Sequence, residues 1–347
     1  MKEKTRESNF ELLRLVCMFY ILLHHFIVHG LKNAGYWGEE INFYEVICNS
    51  FLVVAVNCFI LISGYFGIRL SWKNFIHLYI MCAFYILVLT IIGFIYNDFF
   101  SLQKLLHSFL PFSHSPYWFI TSYFYLLLLS PLINKAIDNF TKREFIYSLF
   151  ILALITFYFG FFWQGKINYN GYNLMNFIFL YFIARFISLH TKKIFSKAYR
   201  KIHLSLYIAN SLAVAMIVLL IYYSPMNNDW IPKWGYSYNS PFVIVSSISF
   251  FLLFSTLKLK NNFVNRLAKS SLAIYLIHEN PTVREILYKY IHEIGESVNG
   301  WLLFIILPIF ALIIMTICIG IDIIRSYTIT NPIEKKVSNI NWINIIN

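Results

Sequence analysis

The first apolar stretch of this chain holds a concentration of ionisable residues: Glu11, Arg14, His24, His25 and His29. A charged group at the centre of a membrane helix costs about 2.5–3.5 kcal/mol or more, so such groups mark functional paths by default. Histidine takes and returns a proton near neutral pH. Arginine offers a planar fork of donors that fits phosphate, and a carboxylate one turn away can orient that fork. On a helix, Arg14 and His25 fall within about 20° of one face and roughly 16 Å apart along the axis. Glu11 lies about 60° to one side of Arg14, His29 about 60° to the other, and His24 some 80° away. The spacing predicts one polar stripe: an acid–base pair at one mouth, His25 deep in the membrane, and His29 near the opposite surface. His24 is a secondary candidate off that stripe. The plain structural alternative is an interfacial Glu11–Arg14 pair, with histidines serving as interhelical hydrogen-bonders.

Two further groups carry chemistry. Arg69 follows Ser63-Gly64-Tyr65-Phe66-Gly67 at the end of the second apolar run, where glycines permit close backbone approach. Two arginines at one mouth suit a phosphate-bearing ligand. His278-Glu279-Asn280-Pro281 interrupts a later run, and the proline must free backbone groups that face protein or water. His278 is either a second acid–base group or the partner that fixes this break. Arg185 and the Lys192–Lys201 cluster read as topology determinants. Tyr36, Trp37, Trp118, Trp163, Trp230 and Trp234 read mainly as an interfacial aromatic belt.

The elements that must position these residues are membrane helices. Hydrophobic residues make up 59% of the 347 and charged residues 13%, against about 45–50% and about 25% in soluble domains. Ten apolar runs approach the length of about 20 residues that spans hydrocarbon. They are Phe10–Gly30, Tyr44–Phe66, Phe75–Asn97, Pro116–Asn134, Phe145–Trp163, Tyr172–Leu189, Leu204–Tyr223, Ser240–Leu257, Lys269–Ile291 and Trp301–Ile324. An all-α, polytopic protein follows, with residues 1–330 as one transmembrane domain and 331–347 as a short tail. Of the 28 Lys and Arg, 20 fall in one set of alternating segments, six in the other, and Arg14 and Arg185 inside spans. Because cytoplasmic loops carry that excess, both ends are placed in the cytoplasm. The ninth run must then cross, or the basic residues Arg325, Lys335 and Lys336 would lie outside. The net charge of +12 therefore reads as topology and attraction to membrane lipids, not as a nucleic-acid surface. The five cysteines lack metal or redox spacing and read as core residues, with no metal site expected. The outer loops Leu31–Phe43, Asp98–Ser115 and Ser224–Asn239 could cap a cavity that opens outward.

These residues resemble the membrane-bound acyltransferase 3 family. Asn9-x-Glu11-Leu12-Leu13-Arg14, with His25 after ten further residues, is similar to that family's first helix. Phe59-Ile60-Leu61-Ile62-Ser63-Gly64-Tyr65 then leads to Arg69. Tyr117-Trp118-Phe119-Ile120 leads to Leu129-Ser130-Pro131-Leu132-Ile133, and Ser270-Ser271-Leu272-Ala273-Ile274-Tyr275-Leu276-Ile277-His278-Glu279 to Pro281. Four loose blocks in family order cover the chain from Asn9 to the tenth run. Many members have a histidine two residues before the Trp-Phe pair, where this chain has Pro116. Some also carry a fused extracytoplasmic domain that this sequence lacks.

The resemblance implies an O-acyl, usually O-acetyl, transferase of the bacterial plasma (inner) membrane. Such enzymes use cytoplasmic acetyl-CoA to modify a cell-envelope polysaccharide or lipid-linked glycan. No cofactor would be resident; acetyl-CoA would be a substrate, and a separate extracytoplasmic partner could complete transfer. His25 would be the base, Arg14 and Arg69 would hold donor phosphates, and Glu11 would orient Arg14. His24, Ser63, Trp118, Tyr275, His278 and Glu279 are further site candidates. Competing readings are a transporter or flippase of lipid-linked sugars, a non-enzymatic partner in envelope assembly, and acylation of a small-molecule acceptor.

Overall fold

A computed structural model describes residues 7–32, 41–114, 116–225, 230–298, 300–330 and 332. Tyr36, Trp37, Lys2, Lys4, Arg6 and nearly all of the 331–347 tail lie outside them, as does most of the first outer loop. The described residues contain helices and no strand.

The helices of the first half are α1 (Ser8–His25), α2 (Phe43–Leu52), α3 (Ala55–Phe66), α4 (Trp72–Tyr96), α5 (Leu102–His107), α6 (Trp118–Asn139) and α7 (Lys142–Ala153). Those of the second half are α8 (Leu174–His190), α9 (Arg200–Tyr223), α10 (Pro241–Ser255), α11 (Asn262–Leu267), α12 (Ser271–His278), α13 (Pro281–Ser297) and α14 (Gly300–Arg325). Among the described residues, seven continuous stretches are long and apolar enough to cross a membrane: Ser8–Leu31, Phe43–Phe66, Trp72–Tyr96, Trp118–Asn139, Lys142–Phe162, Lys197–Tyr223 and Gly300–Ile329. Leu174–His190 and Pro241–Ser255 are shorter apolar helices in the same bundle. The ninth apolar run, Lys269–Ile291, is the broken pair α12 and α13.

Local signals account for many of the starts. Asn42, Ser71, Ser101, Asn173 and Asn261 cap their helices with side-chain oxygens that accept from backbone N–H groups. Thr141 and Glu144 close a reciprocal capping box at α7. Asn280 accepts from Thr282 N, and Pro281 occupies the first turn of α13, where its missing N–H is harmless.

Helix association uses small residues and shared polar groups, as expected where lipid removes the hydrophobic drive. A methyl carbon on Gly64 would stand 2.8 Å from Ala184 Cβ, so this glycine lets α3 and α8 touch. Asn57 Nδ2 donates to Tyr238 O, joining α3 to the loop before α10. Arg325 and Asp322 form a buried pair on α14, and Tyr85 of α4 donates to the same Asp322 oxygen at 2.8 Å.

Three features depart from expectation. α1 changes to a π-helical turn over Phe26–Leu31, which resets its register, so the 60° offset expected for His29 does not apply. The segment after α4 does not cap a cavity from outside. Tyr79 donates to Phe109 O, and Phe112 stacks on Phe124 at 4.0 Å, so this segment is tucked between α4 and α6. Finally, α13 is an amphipathic helix spread across the ends of α4 and α1. Thr282 meets Gly93 of α4, and Ile291 meets Gly30 beyond α1.

Candidate active site

A cavity of about 490 Å³ runs through the bundle between α1, α3, α4, α6 and α12. That size lies in the range of small-molecule and cofactor sites, about 300–1,000 Å³. Arg14, Arg69, Asn74, His77 and Lys269 line the end that the charge rule gives to the cytoplasm. His25, Trp118, Tyr238 and Tyr275 line the other end, with apolar side chains such as Met18, Ile21 and Phe59 between. The predicted stripe on α1 is thus one wall of a cavity, because Arg14 and His25 both face it.

At the cationic mouth, Arg14 Nη1 donates to both Glu11 oxygens, at 2.8 and 3.0 Å, and Glu11 is buried. Arg69 sits in the turn after α3, which is held from behind. Tyr181 OH accepts from Ile68 N and donates to Asn134 Oδ1, while Asn134 Nδ2 donates to Ile68 O. Gly67, at φ +75°, makes that turn, and Arg185 packs under it with Asp138 at 3.8 Å. Arg185 therefore supports the Arg69 turn as well as satisfying the charge rule. Arg69 and Lys269 are exposed and have no ion-pair partner among the described residues. Lys269 stands directly before the Ser270-Ser271 block, and that position is the sequence signal for its place at the cavity mouth.

At the deep end, His25 Nδ1 lies 3.0 Å from Glu279 Oε2 and 3.1 Å from His278 Nε2. The break after α12 delivers both residues. Tyr117 OH donates to Leu276 O and accepts from Asn280 Nδ2, which satisfies backbone and turn at the interruption. His278 Nδ1 is 2.6 Å from Ile274 O. A carbonyl only accepts, so Nδ1 carries the proton of neutral His278 and Nε2 presents a lone pair. Both neighbours of His25 Nδ1 are then acceptors. These partners assign its proton to Nδ1 and leave Nε2 as the basic nitrogen of a neutral ring. Glu279 is itself fixed by Arg284 Nη1 at 3.0 Å and Tyr288 OH at 2.7 Å. His29 stacks on Tyr288 at 5.4 Å, beside this group.

Other predicted residues separate clearly. His24 turns away from the cavity and meets Asn49 Oδ1 at 2.6 Å. Ser63 lines the cavity, but its hydroxyl donates to Phe59 O of its own helix. Trp118 and Tyr275 line the deep end. His25, His278 and Glu279 also form a convergent set of metal-ligand types, with ligand atoms within 4.8 Å of one another. No metal site was expected from the sequence. The 3.0 and 3.1 Å separations are hydrogen-bond lengths, and Arg284 puts positive charge on the same carboxylate. That chemistry favours a proton relay over a cation.

Cations at one mouth, an apolar shaft and an oriented histidine are the parts that group transfer within a membrane requires. A family model described as an acyltransferase domain matches residues 7–321, and the chain belongs to that membrane acyltransferase 3 family. The protein is thus an acyltransferase with many membrane-spanning helices. No curated protein and no solved structure matches it.

Proposed function

We propose that this protein is an O-acetyltransferase of the bacterial plasma membrane. It moves the acetyl group of cytoplasmic acetyl-CoA to a hydroxyl of a cell-envelope polysaccharide or lipid-linked glycan. The observation that carries this reading is one cavity with Arg14, Arg69 and Lys269 at one end and His25 at the other. The cations hold the phosphates of the donor, and the pantetheine arm lies along the apolar shaft with its thioester beside His25.

His25 Nε2 takes the proton of the acceptor hydroxyl as its oxygen attacks the thioester carbonyl. The tetrahedral intermediate collapses, breaking the C–S bond and forming the ester. The imidazolium returns its proton to the CoA sulfur. Glu279 holds Nδ1–H throughout and stabilises the transient positive ring.

The test is protein in lipid nanodiscs with acetyl-labelled acetyl-CoA and envelope glycan stripped of esters by mild alkali. The expected result is label on the glycan with one free CoA per acetyl transferred. Vectorial movement of lipid-linked sugar without CoA release would replace this reading with that of a flippase.

A further inference from the structure

The rings that bound the deep end of the cavity continue to the outer surface. Trp118 lies 4.7 Å from Tyr172 and stacks on Tyr238 at 5.8 Å, and the two tyrosines are 4.9 Å apart. Trp118 and Tyr238 share the cavity wall with His25. Tyr172 stands two residues before α8 and is 38% exposed. The three rings form a continuous aromatic step from outside to the reaction chamber.

The loops bearing the tyrosines have a composition of their own. One reads Asn168-Tyr169-Asn170-Gly171-Tyr172-Asn173 and the other Tyr236-Ser237-Tyr238-Asn239-Ser240, with no charged residue in either. They are latched together, because Tyr238 N donates to Asn170 O and Asn239 Nδ2 to Asn168 O. Gly171, at φ +75°, makes the approach possible: a methyl there would fall 2.7 Å from Asn239 N. Within this latch both side-chain polar atoms of Asn168, Oδ1 of Asn170 and Oγ of Ser240 are buried and lack a hydrogen-bond partner among the described residues. Buried polar groups are normally satisfied, so unpaired neutral donors and acceptors beside the exposed ring of Tyr172 point to a polar, uncharged ligand. A phosphate or carboxylate would require a cation here, and an acyl chain would leave the amides unpaired.

We propose that this step is the acceptor subsite. A neutral sugar ring lies against Tyr172 and Trp118, its hydroxyls meet the amides of the latch, and one hydroxyl is presented toward His25. The inference rests on the acyl-transfer reading and adds to it the place and chemical class of the acceptor.

The experiment uses the full chain in nanodiscs with acetyl-CoA and alkali-stripped envelope glycan fragments. It measures acetyl-CoA cleavage without glycan and glycan acetylation against glycan concentration. Tyr172→Ala is expected to raise the half-saturating glycan concentration roughly tenfold, and Tyr172→Phe to restore it, because the face and not the hydroxyl does the stacking. Half-saturation by acetyl-CoA is expected to stay within about twofold in both variants, since a group that contacts one substrate alone shifts that substrate's dependence. An unchanged glycan dependence in Tyr172→Ala overturns the subsite, as does equal loss of both activities in the Ala and Phe variants. Acetyl-CoA cleavage by the wild type without any glycan acetylation overturns it while leaving the donor half intact. Absence of acetyl-CoA cleavage removes the parent reading itself.

Discussion

Nδ1 of His25 stands 3.0 Å from Oε2 of Glu279, so a histidine near the start of the chain is oriented by a carboxylate near its end. His25→Ala should lower acyl transfer by about 10²–10⁴-fold, the usual contribution of a positioned general base. Glu279→Gln keeps the shape but weakens the stabilisation of a charged ring, so roughly a 10–10²-fold fall in kcat is expected with little change in donor KM. Single-turnover release of CoA from purified protein is the measurement, and a wild-type rate in His25→Ala would remove the histidine from the mechanism.

Arg14 meets both oxygens of Glu11 through one guanidinium nitrogen, Nη1. A lysine ammonium could hold Glu11 in the same way, but it lacks the planar, multi-nitrogen donor set that arginine offers a phosphate. Arg14→Lys should therefore raise the KM for acetyl-CoA roughly tenfold and leave kcat nearly intact. Raising salt should weaken donor binding further, because Arg69 and Lys269 act through charge at an exposed mouth. Isothermal titration with CoA at two ionic strengths checks both.

Adjacent histidines should respond in opposite ways. His24 is buried against Asn49 and does not line the cavity. His24→Ala leaves a buried carboxamide short of a partner, at about 1–3 kcal/mol. The melting temperature should drop while the rate per folded molecule stays within a few-fold, measured by thermal unfolding alongside activity. A collapse of kcat with unchanged stability would instead put His24 in the reaction.

Asp322 binds Arg325 and Tyr85 with almost no exposure. Removing one member of a buried pair costs about 3–5 kcal/mol because the other charge is stranded. Asp322→Ala should sharply reduce folded yield, whereas a double change of Asp322 and Arg325 to apolar residues should recover part of it. Fluorescence-detected size-exclusion chromatography of the variants in detergent separates these outcomes.

Much of this arrangement was readable because it is local. Apolar run length gives the helices, and the eleven-residue interval puts Arg14 and His25 on one face before any fold is known. Pro281 announced the break. The contacts to His25 were not readable, since nothing in a periodic pattern says that α12 ends against α1 at the height of His25. For the same reason Lys269 and Arg185 looked like ordinary topology residues, although one opens onto the cavity and the other props the Arg69 turn. The π turn at Phe26–Leu31 was hidden as well; it lies where Gly30 packs against Ile291 of α13.

The buried rings at the deep end have an electrical consequence. Tyr117, Tyr238 and Tyr275 expose 7% of their surface or less. A shaft joining two aqueous compartments would short-circuit the gradients that a cell membrane stores, and close-packed apolar walls are what stop ions from following the substrate. A mutation that thins this packing would then harm the cell as a leak before it showed up as lost catalysis.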